Sequence, residues 1–137
     1  MFSLQIITQE QTFPAISADS VTLDTQDGQI TILPHHIPLF SRLKPGTVIV
    51  KHHQTEEHLA ISGGFADITP TGIKILADTA TKAEDINESQ AQAARDAAQA
   101  ALVEKKSVQE QLQAQISLAK ALAELDTVSK WRKARNL

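Results

Sequence analysis

Cysteine is absent from the 137 residues of this chain, so it can form neither a disulfide framework nor a thiolate metal site. An intracellular compartment is compatible with that absence. No apolar run approaches the roughly 18 residues that a membrane-spanning helix requires. The formal net charge of −3 argues against a nucleic-acid-binding protein, because such proteins usually carry a basic excess. Composition therefore predicts a soluble protein without a nucleic-acid partner.

Glycine and proline are missing from the C-terminal part: all five glycines and all five prolines lie at or before Gly72. Because these residues punctuate turns, their distribution predicts a turn-rich first half followed by long uninterrupted elements. A chain of this length with 42% hydrophobic residues can fill one modest core. We therefore predict two parts of an α+β protein, a compact domain at residues 1–84 and an appendage at 85–137.

The first part is predicted to be a β-sandwich, or flattened barrel. Turn signals at Asp27-Gly28, at Pro45-Gly46 and before Gly72 separate short segments rich in β-branched residues. The predicted strands are residues 2–6, 21–24, 29–33, 47–51, 59–62 and 73–76, and alternation in several of them indicates one wet face. The acidic pair Glu56-Glu57 is expected in a solvated hairpin turn.

Two adjacent glycines interrupt the β pattern at Ser62-Gly63-Gly64-Phe65. Such a pair marks a β-bulge or a close approach of two backbones. Both a purely local bulge and a contact with another protein fit this pattern.

The second part is predicted to be an antiparallel helical hairpin. From about Asn87 the chain is dominated by strong helix formers, and Asn87 with Gln90 fits a capping box. One helix to the C-terminus would be unusually long, so we place a turn at residues 105–107. Two apolar stripes are expected to be buried: Ala91, Ala94, Ala98, Ala101 and Leu102, then Val108, Leu112, Ile116, Ala119, Leu122 and Leu125. Alanine methyls contribute about 1 kcal/mol or less each, so the hairpin should be weakly held and able to open.

Histidine is the residue type that most invites a catalytic or metal-binding interpretation. The chain has five histidines, at positions 35, 36, 52, 53 and 58. Adjacent residues of a strand point to opposite faces, so a His-His pair does not direct two imidazoles at one metal ion. No nucleophile elbow or phosphate-binding glycine loop is present either. We expect no catalytic residue, no metal site and no cofactor.

The last residues carry a basic cluster without any acidic residue, made up of Lys130, Arg132, Lys133 and Arg135. Cations near a helix C-terminus complement its dipole, typically by about 0.3–1 kcal/mol each. Four of them exceed what a helix end needs. An acidic partner and a solvated tail both remain open from the charge pattern alone.

Short motifs follow one another through the first part in a fixed order: Gly28-x-Ile30-x-Ile32-Leu33-Pro34-x-His36-x-Pro38-Leu39, Leu43-Lys44-Pro45-Gly46, Ser62-Gly63-Gly64-Phe65 and Ile75-Leu76-Ala77-Asp78-Thr79-Ala80. Each motif alone is weak, but their order and spacing ahead of an alanine-rich hairpin are specific. Over its whole length the chain resembles the epsilon subunit of bacterial and chloroplast F-type ATP synthases.

The resemblance implies a non-catalytic rotor subunit in the central stalk of a proton- or sodium-driven ATP synthase. Residues 1–84 would join the gamma subunit to the ring of c subunits. Residues 85–137 would inhibit ATP hydrolysis by contacting the alpha/beta catalytic head. The protein would then meet the membrane only through the complex, at the cytoplasmic face of the bacterial inner membrane or the stromal face of the thylakoid.

The resemblance also implies residue roles: His36, Pro38 and Leu39 in the gamma interface, and Asp27, Gly28 and Gln29 in the c-ring interface. The basic cluster would form the inhibitory tail. Prolines suit a docking edge, because they fix the backbone and leave no unpaired N–H. The alternative is a free-standing β-sandwich protein that binds a ligand or a metal ion.

Nucleotide binding is the point at which this chain departs from part of the family. Members that bind ATP in the hairpin show Ile/Leu-Asp-x-x-Arg-Ala at the start of the first helix, whereas this chain has Ile86-Asn87-Glu88-Ser89-Gln90-Ala91. A neutral Gln90 cannot supply the charge or the forked donors of a guanidinium. Loss of that charged hydrogen bond alone costs about 1.5–3 kcal/mol, a roughly tenfold to hundredfold drop in affinity.

We therefore predict that the isolated chain does not bind Mg-ATP at submillimolar concentration. Arg95 could replace only part of the missing charge. Calorimetric titration checks this, with a Gln90→Arg, Asn87→Asp double variant as the matched comparison. A micromolar dissociation constant for the unmodified chain would contradict the prediction.

Overall fold

The computed structural model describes residues 2–104 and 107–135, and its secondary structure changes from strands to helices near residue 83. Within those residues the strands are β1 (Phe2–Ile7), β2 (Ile16–Ala18), β3 (Ser20–Thr25), β4 (Gly28–Ile32), β5 (Leu39–Leu43), β6 (Gly46–His52), β7 (Thr55–Ile61), β8 (Gly64–Thr69), β9 (Gly72–Ala77) and β10 (Ala80–Lys82). A short 3-10 turn, Ala83–Asp85, leads to α1 (Glu88–Val103) and α2 (Val108–Arg135). The predicted fold class, a β-sandwich followed by a helical hairpin, is confirmed.

The strands form one sheet that folds over on itself in two layers. One layer has the order β10-β7-β6-β3, with β4 paired to β3, and the other has the order β5-β8-β9-β1-β2. The two layers are joined where Thr25 of β3 pairs with Leu43 of β5. The β1–β9 pair is parallel, and the neighbouring pairs are antiparallel. This arrangement is a flattened barrel, or sandwich, with two outer faces.

The core lies between the layers and follows the alternation of the strands. Its largest fully buried aliphatic side chains come from both layers: Leu4, Ile6, Val21, Leu23, Ile32, Val48, Val50, Leu59, Ile68 and Ile75. Full burial of one such side chain stabilises the fold by about 1.5–3 kcal/mol. The buried cluster draws on residues 2–77 and includes no residue of the helices. The hairpin is therefore an attachment to a core that the sandwich builds itself.

The six predicted strands are all present, but the expected position of one turn is wrong. Glu56 and Glu57 lie within β7, where Glu56 pairs with Lys51 and Glu57 with Val50. The turn comes earlier in the chain, between β6 and β7. It includes His53, whose φ of 55° lies in the left-handed region. Because that region usually calls for glycine or asparagine, a histidine there leaves no turn signal in the sequence.

The double glycine serves a close approach of two backbones inside the sandwich. Gly63 and Gly64 have φ values of 103° and 147°, which side chains rarely adopt. A Cβ built on Gly64 would lie 1.9 Å from the carbonyl oxygen of Leu76 and 2.9 Å from the Cα of Ala77. Any side chain at this position would push β8 away from β9.

The hairpin begins where the sequence predicts, and α1 ends at Val103 before α2 starts at Val108. The Asn87 side chain accepts a hydrogen bond from the backbone N–H of Gln90 at 3.0 Å, which caps α1. The Ser107 hydroxyl accepts one from the backbone N–H of Glu110 at 3.2 Å and so caps α2. Of the predicted turn at 105–107, residues 105 and 106 lie outside the described residues.

The predicted burial of the second apolar stripe is wrong for four of its six residues, whereas Ala119 and Leu125 are half-buried. Val108, Leu112, Ile116 and Leu122 are exposed, Val108 to 83%. The buried positions of α2 are instead occupied by small or short side chains: Ala114, Ala121, Ala123, Thr127 and Val128. Short side chains let α2 approach its neighbours closely, which leaves the large aliphatic side chains at the rim.

The first stripe fits the prediction better. Ala91 and Ala98 are buried, and Ala101 and Leu102 are half-buried, but Ala94 is exposed. Ala94 and Ala98 line a groove between the helices together with Ala114 of α2. The interface between α1 and α2 therefore consists largely of alanine, as expected for a weakly held hairpin.

Candidate interaction surfaces

One outer face of the sandwich is covered by α2, which packs on β6, β7 and the 3-10 turn. The Thr47 hydroxyl on β6 lies 2.8 Å from the hydroxyl of Thr127 on α2 and donates to the Asp126 carboxylate at 2.9 Å. The Thr127 hydroxyl is also 2.8 Å from the carbonyl oxygen of Ala123. Because each hydroxyl has one proton, the Thr47–Thr127 hydrogen bond forms only when one of the two donates to the other instead of to Asp126 or Ala123. Thr47 and Thr127 are both buried. We call this group of hydrogen bonds the threonine contact.

A buried histidine lies under the same helix. His58 of β7 is 3% exposed, and its Nε2 is 3.8 Å from the carboxylate of Glu56. Its Nδ1 is buried and has no hydrogen-bond partner. Burial lowers the pKa of His58 below its usual 6.5, and Lys130 of α2 lowers that pKa too, against the opposing effects of Glu56 and Glu84. The imidazole is therefore held in its neutral form.

The other outer face, on β5, β8, β9 and β1, carries a row of apolar side chains. Phe65 of β8 pairs with Leu76 of β9, and Leu76 pairs with Ile7 of β1. On the neighbouring strand β5, the residue opposite Phe65 is Arg42. The ring of Phe40, which is 65% exposed, stacks on Phe65 with centroids 5.7 Å apart. We define the apolar patch as Phe40, Phe65, Leu76 and Ile7.

The predicted gamma-binding residues come shortly before Phe40 in the sequence. His35 has a φ of 66°, and the Nδ1 atom of His36 is hydrogen-bonded to the carbonyl oxygen of Ile37. Pro38 and Leu39 are exposed, and Leu39 begins β5 immediately before Phe40. Leu39 adjoins Phe40 on β5, but it pairs with the buried Ile68 and so lies on the opposite face of the strand. His36 and Pro38 lie in the loop before β5.

Sequence reasoning missed Phe40 and Leu76 as candidate interface residues, and it considered Phe65 only as part of the double-glycine motif. A signal for them exists, because each alternates with a more buried neighbour, as Leu76 does between the buried Ile75 and Ala77. Alternation alone, however, cannot say which face of a strand is buried.

The predicted c-ring residues form an exposed hairpin tip between β3 and β4. Asp27 and Gln29 are exposed, and Gly28 has a φ of 123° that suits glycine. The Thr25 hydroxyl stabilises the tip by donating to the carbonyl oxygen of Gly28 at 2.6 Å. The tip lies next to β5, where the Gln26 N–H donates to the Arg42 carbonyl oxygen at 3.1 Å.

The basic cluster is largely engaged within the hairpin. The Lys130 ammonium lies 3.0 Å from the Asp126 carboxylate one turn earlier, and Arg132 forms an ion pair with Glu88 at the start of α1. The Arg135 guanidinium lies over the Trp131 ring, 4.9 Å from its centroid. Lys133 is exposed. In the closed hairpin the cluster therefore has local partners, and its predicted role in inhibition stays a prediction.

The family's nucleotide motif holds only neutral side chains at its two charged positions. Asn87 is used as the helix cap, Gln90 is exposed, Ile86 is half-buried, and Ala91 is buried. Arg95, one turn further along α1, lies beside the carboxylate of Asp96 at 3.1 Å. The local geometry is that of an ordinary capped helix start.

Two further observations concern metals and membranes. Among the described histidines and carboxylates, no group of three or more is positioned to share a metal ion. Across residues 2–104 and 107–135, no helix is both long enough and apolar enough to span a bilayer.

A β-sandwich with a folded-back helical hairpin is the class of protein that these elements define. Residues 1–83 match the family model for the β-sandwich domain of the ATP synthase delta/epsilon chain, and residues 84–129 match the model for its long α-helix domain. The chain therefore belongs to the ATP synthase delta/epsilon chain family. The alternative of a free-standing ligand-binding or metal-binding protein is not favoured.

Similar proteins extend over almost the whole chain. An ATP synthase epsilon chain 2 of Ralstonia nicotianae is 37% identical over 136 residues, which cover 98% of each chain. The epsilon chain of Bordetella petrii is 37% identical over 134 residues, 97% of this chain and 95% of its own.

Two solved structures share the fold. A chain of the Euglena gracilis mitochondrial ATP synthase gives a TM-score of 0.79 at 22% identity, covering 89% of this chain and 78% of its own. A chain of the Tetrahymena thermophila mitochondrial ATP synthase central stalk and c-ring gives 0.59 at 11% identity, covering 93% and 96%. At these identities the likeness concerns the fold.

The threonine contact should contribute measurably to docking of α2. Thr127→Val keeps the shape of the side chain but removes a buried hydroxyl, so we expect docking to weaken by about 1–3 kcal/mol. Denaturant titration followed by the fluorescence of Trp131, which is the protein's one tryptophan, measures the change.

Thr22→Val is the matched control for this measurement. The hydroxyls of Thr22 and Thr31 are 3.0 Å apart like those of the threonine contact, but they lie at the exposed surface. We expect an effect below about 0.5 kcal/mol there, because water can replace the lost partner. Equal effects of the two substitutions would contradict a special role for the buried pair.

Proposed function

We propose that this protein is a non-catalytic rotor subunit of an F-type ATP synthase, without a cofactor of its own, that joins the catalytic head to the c ring. The observation that carries the proposal is the apolar patch: an exposed face of the sandwich with stacked Phe40 and Phe65 at its centre. Membership in the delta/epsilon family supplies the identity of the partner. The gamma subunit binds this patch together with His36, Pro38 and Leu39.

The physical argument rests on the free energy of covering aromatic rings. Exposed aromatic side chains that are clustered, rather than scattered, mark surfaces that another protein covers. Aromatic anchors at the centre of an interface typically contribute about 2 kcal/mol or more each to binding. A groove of about 590 Å³ next to the patch, lined by Phe65, Leu76, Arg42 and Lys44 among others, offers space for side chains of the gamma subunit.

The exposed tip at Asp27, Gly28 and Gln29 contacts the c ring in this proposal. Support comes from its position, because the tip projects from the β3–β4 hairpin beside β5 and is held by its own hydrogen bonds. A preformed tip binds with little loss of conformational entropy. The subunit then lies at the membrane surface on the cytoplasmic or stromal side, through the complex alone.

In this proposal the helical hairpin is the regulatory part of the protein. The boundary between the sandwich and the hairpin lies near residue 84. Its packing on the sandwich uses short side chains, whereas Val108, Leu112, Ile116 and Leu122 remain exposed. An opened α2 could bury these side chains against the alpha/beta head, which would offset the lost threonine contact. The basic cluster would then exchange Asp126 and Glu88 for acidic groups of the head.

Phe40→Ser should weaken binding to the gamma subunit by roughly thirtyfold or more, since it removes a central aromatic anchor. Calorimetry or surface binding with purified gamma subunit measures the affinity. Val103→Ser is the control. Val103 is 86% exposed and lies at the end of α1, not on the sheet that carries the apolar patch. Equal affinities of both variants would contradict the assignment of the patch.

The inhibitory role of the basic cluster predicts that Arg132→Ala raises ATP hydrolysis by a reconstituted head. We expect a factor of about 2–5, from about 0.5–1 kcal/mol for one exposed charge contact, and a smaller effect at high salt. Replacing the whole cluster, Lys130, Arg132, Lys133 and Arg135, should have a larger effect.

The variant Glu88→Gln distinguishes the effect of the Arg132 charge from the effect of the ion pair between Arg132 and Glu88. It breaks the same contact between the helices but keeps Arg132, so the freed hairpin should inhibit as well as before or better. If Glu88→Gln raised hydrolysis as much as Arg132→Ala, the effect would come from loss of the Arg132–Glu88 ion pair and not from the charge of Arg132, and the proposal would be wrong.

A further inference from the structure

The interface between α2 and the sandwich contains one ionisable group that none of the surfaces above uses. His58 points from β7 toward α2, with the buried Ala60 two residues further along the same face of the strand. Its Nε2 has Glu56 at 3.8 Å, and its buried Nδ1 has no partner. Most buried side-chain nitrogen atoms find a partner, so the unpartnered Nδ1 costs free energy even in the neutral ring, and the cost is larger when the ring is charged.

Charged groups approach this imidazole from several elements. On β7 itself the nearest is Glu56, and Lys51 lies opposite Glu56 on β6. The 3-10 turn contributes Glu84, and α2 contributes Lys130. On β10, Lys82 pairs with Leu59, whose side chain belongs to the core on the opposite face of the sheet.

The carboxylates near His58 do not provide a complete ion pair. Glu56 is exposed, and its distance of 3.8 Å from Nε2 is long for a hydrogen bond. Lys130 is itself paired with Asp126 at 3.0 Å, which keeps its ammonium group on the α2 side of the interface. A proton added to His58 would therefore place a second cation in a buried interface beside Lys130.

We propose that His58 is a pH-sensitive latch of the hairpin: protonation of its imidazole weakens docking of α2 on β6 and β7. When α2 lifts away, water solvates the charged ring and its unpaired Nδ1–H. The docked and opened hairpins thus differ in their affinity for one proton, which is the differential interaction that such a switch needs.

The direction of the effect follows from proton linkage. Burial lowers the pKa of His58 in the docked state, whereas the opened state restores a value near 6.5. Between these two values the opened state binds more protons, so docking is favoured as pH rises and is lost as pH falls below about 6.5. The docking equilibrium constant should fall by up to about tenfold per pH unit within that window and stay constant above it.

The consequence for regulation rests on the proposed function, because an opened hairpin is there the inhibitory form. Acidification of the compartment would then favour inhibition of ATP hydrolysis. The latch itself concerns only the isolated chain, so its test needs no other subunit. Failure of that test would leave the rotor assignment intact, and failure of the gamma-binding test would leave the latch intact.

The experiment follows opening of the hairpin in the isolated full chain from about pH 7.5 to about pH 5, a range that spans histidine titration. Acrylamide quenching of Trp131, which lines a cavity with Glu56, Glu84 and Gln54, reports exposure of α2. Spin labels at Gln54→Cys and Ser129→Cys report the separation of α2 from the sandwich, since the chain has no native cysteine. Far-UV circular dichroism checks that the strands remain folded.

We expect acid to increase quenching and to lengthen the label distance in the unmodified chain, and His58→Gln to remove that pH dependence. The control His35→Asn changes an exposed histidine whose positive φ suits asparagine, and it should behave like the unmodified chain. A hairpin that stays closed at low pH, or equal opening in His58→Gln, would overturn the proposal.

Lys130→Gln provides an independent check should His58→Gln fail to fold. Without the cation that faces the imidazole, the docked ring accepts a proton more readily, so the midpoint of opening should move to lower pH. An unchanged midpoint, or a shift to higher pH, would overturn the proposal as well.

Discussion

Docking of α2 on strands β6 and β7 is the interaction that divides the surface of this protein into a covered face and an open face. The contact is made by short side chains around Thr47 and Thr127, whose hydroxyls lie 2.8 Å apart in a buried position. Each buried hydroxyl has a partner, so the contact is specific, but a net gain of about 0.5–1.5 kcal/mol per hydrogen bond keeps it modest. A helix held in this way is positioned accurately without being locked.

The two outer faces of the sandwich consequently have different roles. The β6–β7 face is occupied by the protein's own helix, whereas the face with Phe40 and Phe65 has no cover among the described residues. The core between them draws on residues 2–77 and does not rely on the hairpin. In the proposed function, the sandwich holds the gamma subunit on one face while α2 leaves the other.

Electrostatic contacts tie the state of the hairpin to its surroundings. Arg132 with Glu88 joins the end of α2 to the start of α1, and Lys130 with Asp126 lies beside the threonine contact. Exposed ion pairs of this kind contribute at most about 1 kcal/mol each, so an acidic partner surface can compete for the same cations. His58 adds a buried group that, in the proposed latch, opposes docking once its imidazole is protonated.

The sequence alone determined the fold class, because turn residues, alternation and the absence of glycine and proline after Gly72 are local signals. The helix cap at Asn87 was predictable for the same reason. Positions that depend on packing could not be predicted from the sequence. The turn lies at His53 instead of the expected Glu56. The buried face of α2 carries short side chains, and Val108 and Leu112 are exposed. Local pattern shows that a face is apolar, but only the assembled layers decide which apolar face is covered. For that reason His36 could be predicted as an interface residue from its motif, whereas the exposure of Phe40 and Phe65 and the burial of His58 were decided by the tertiary structure.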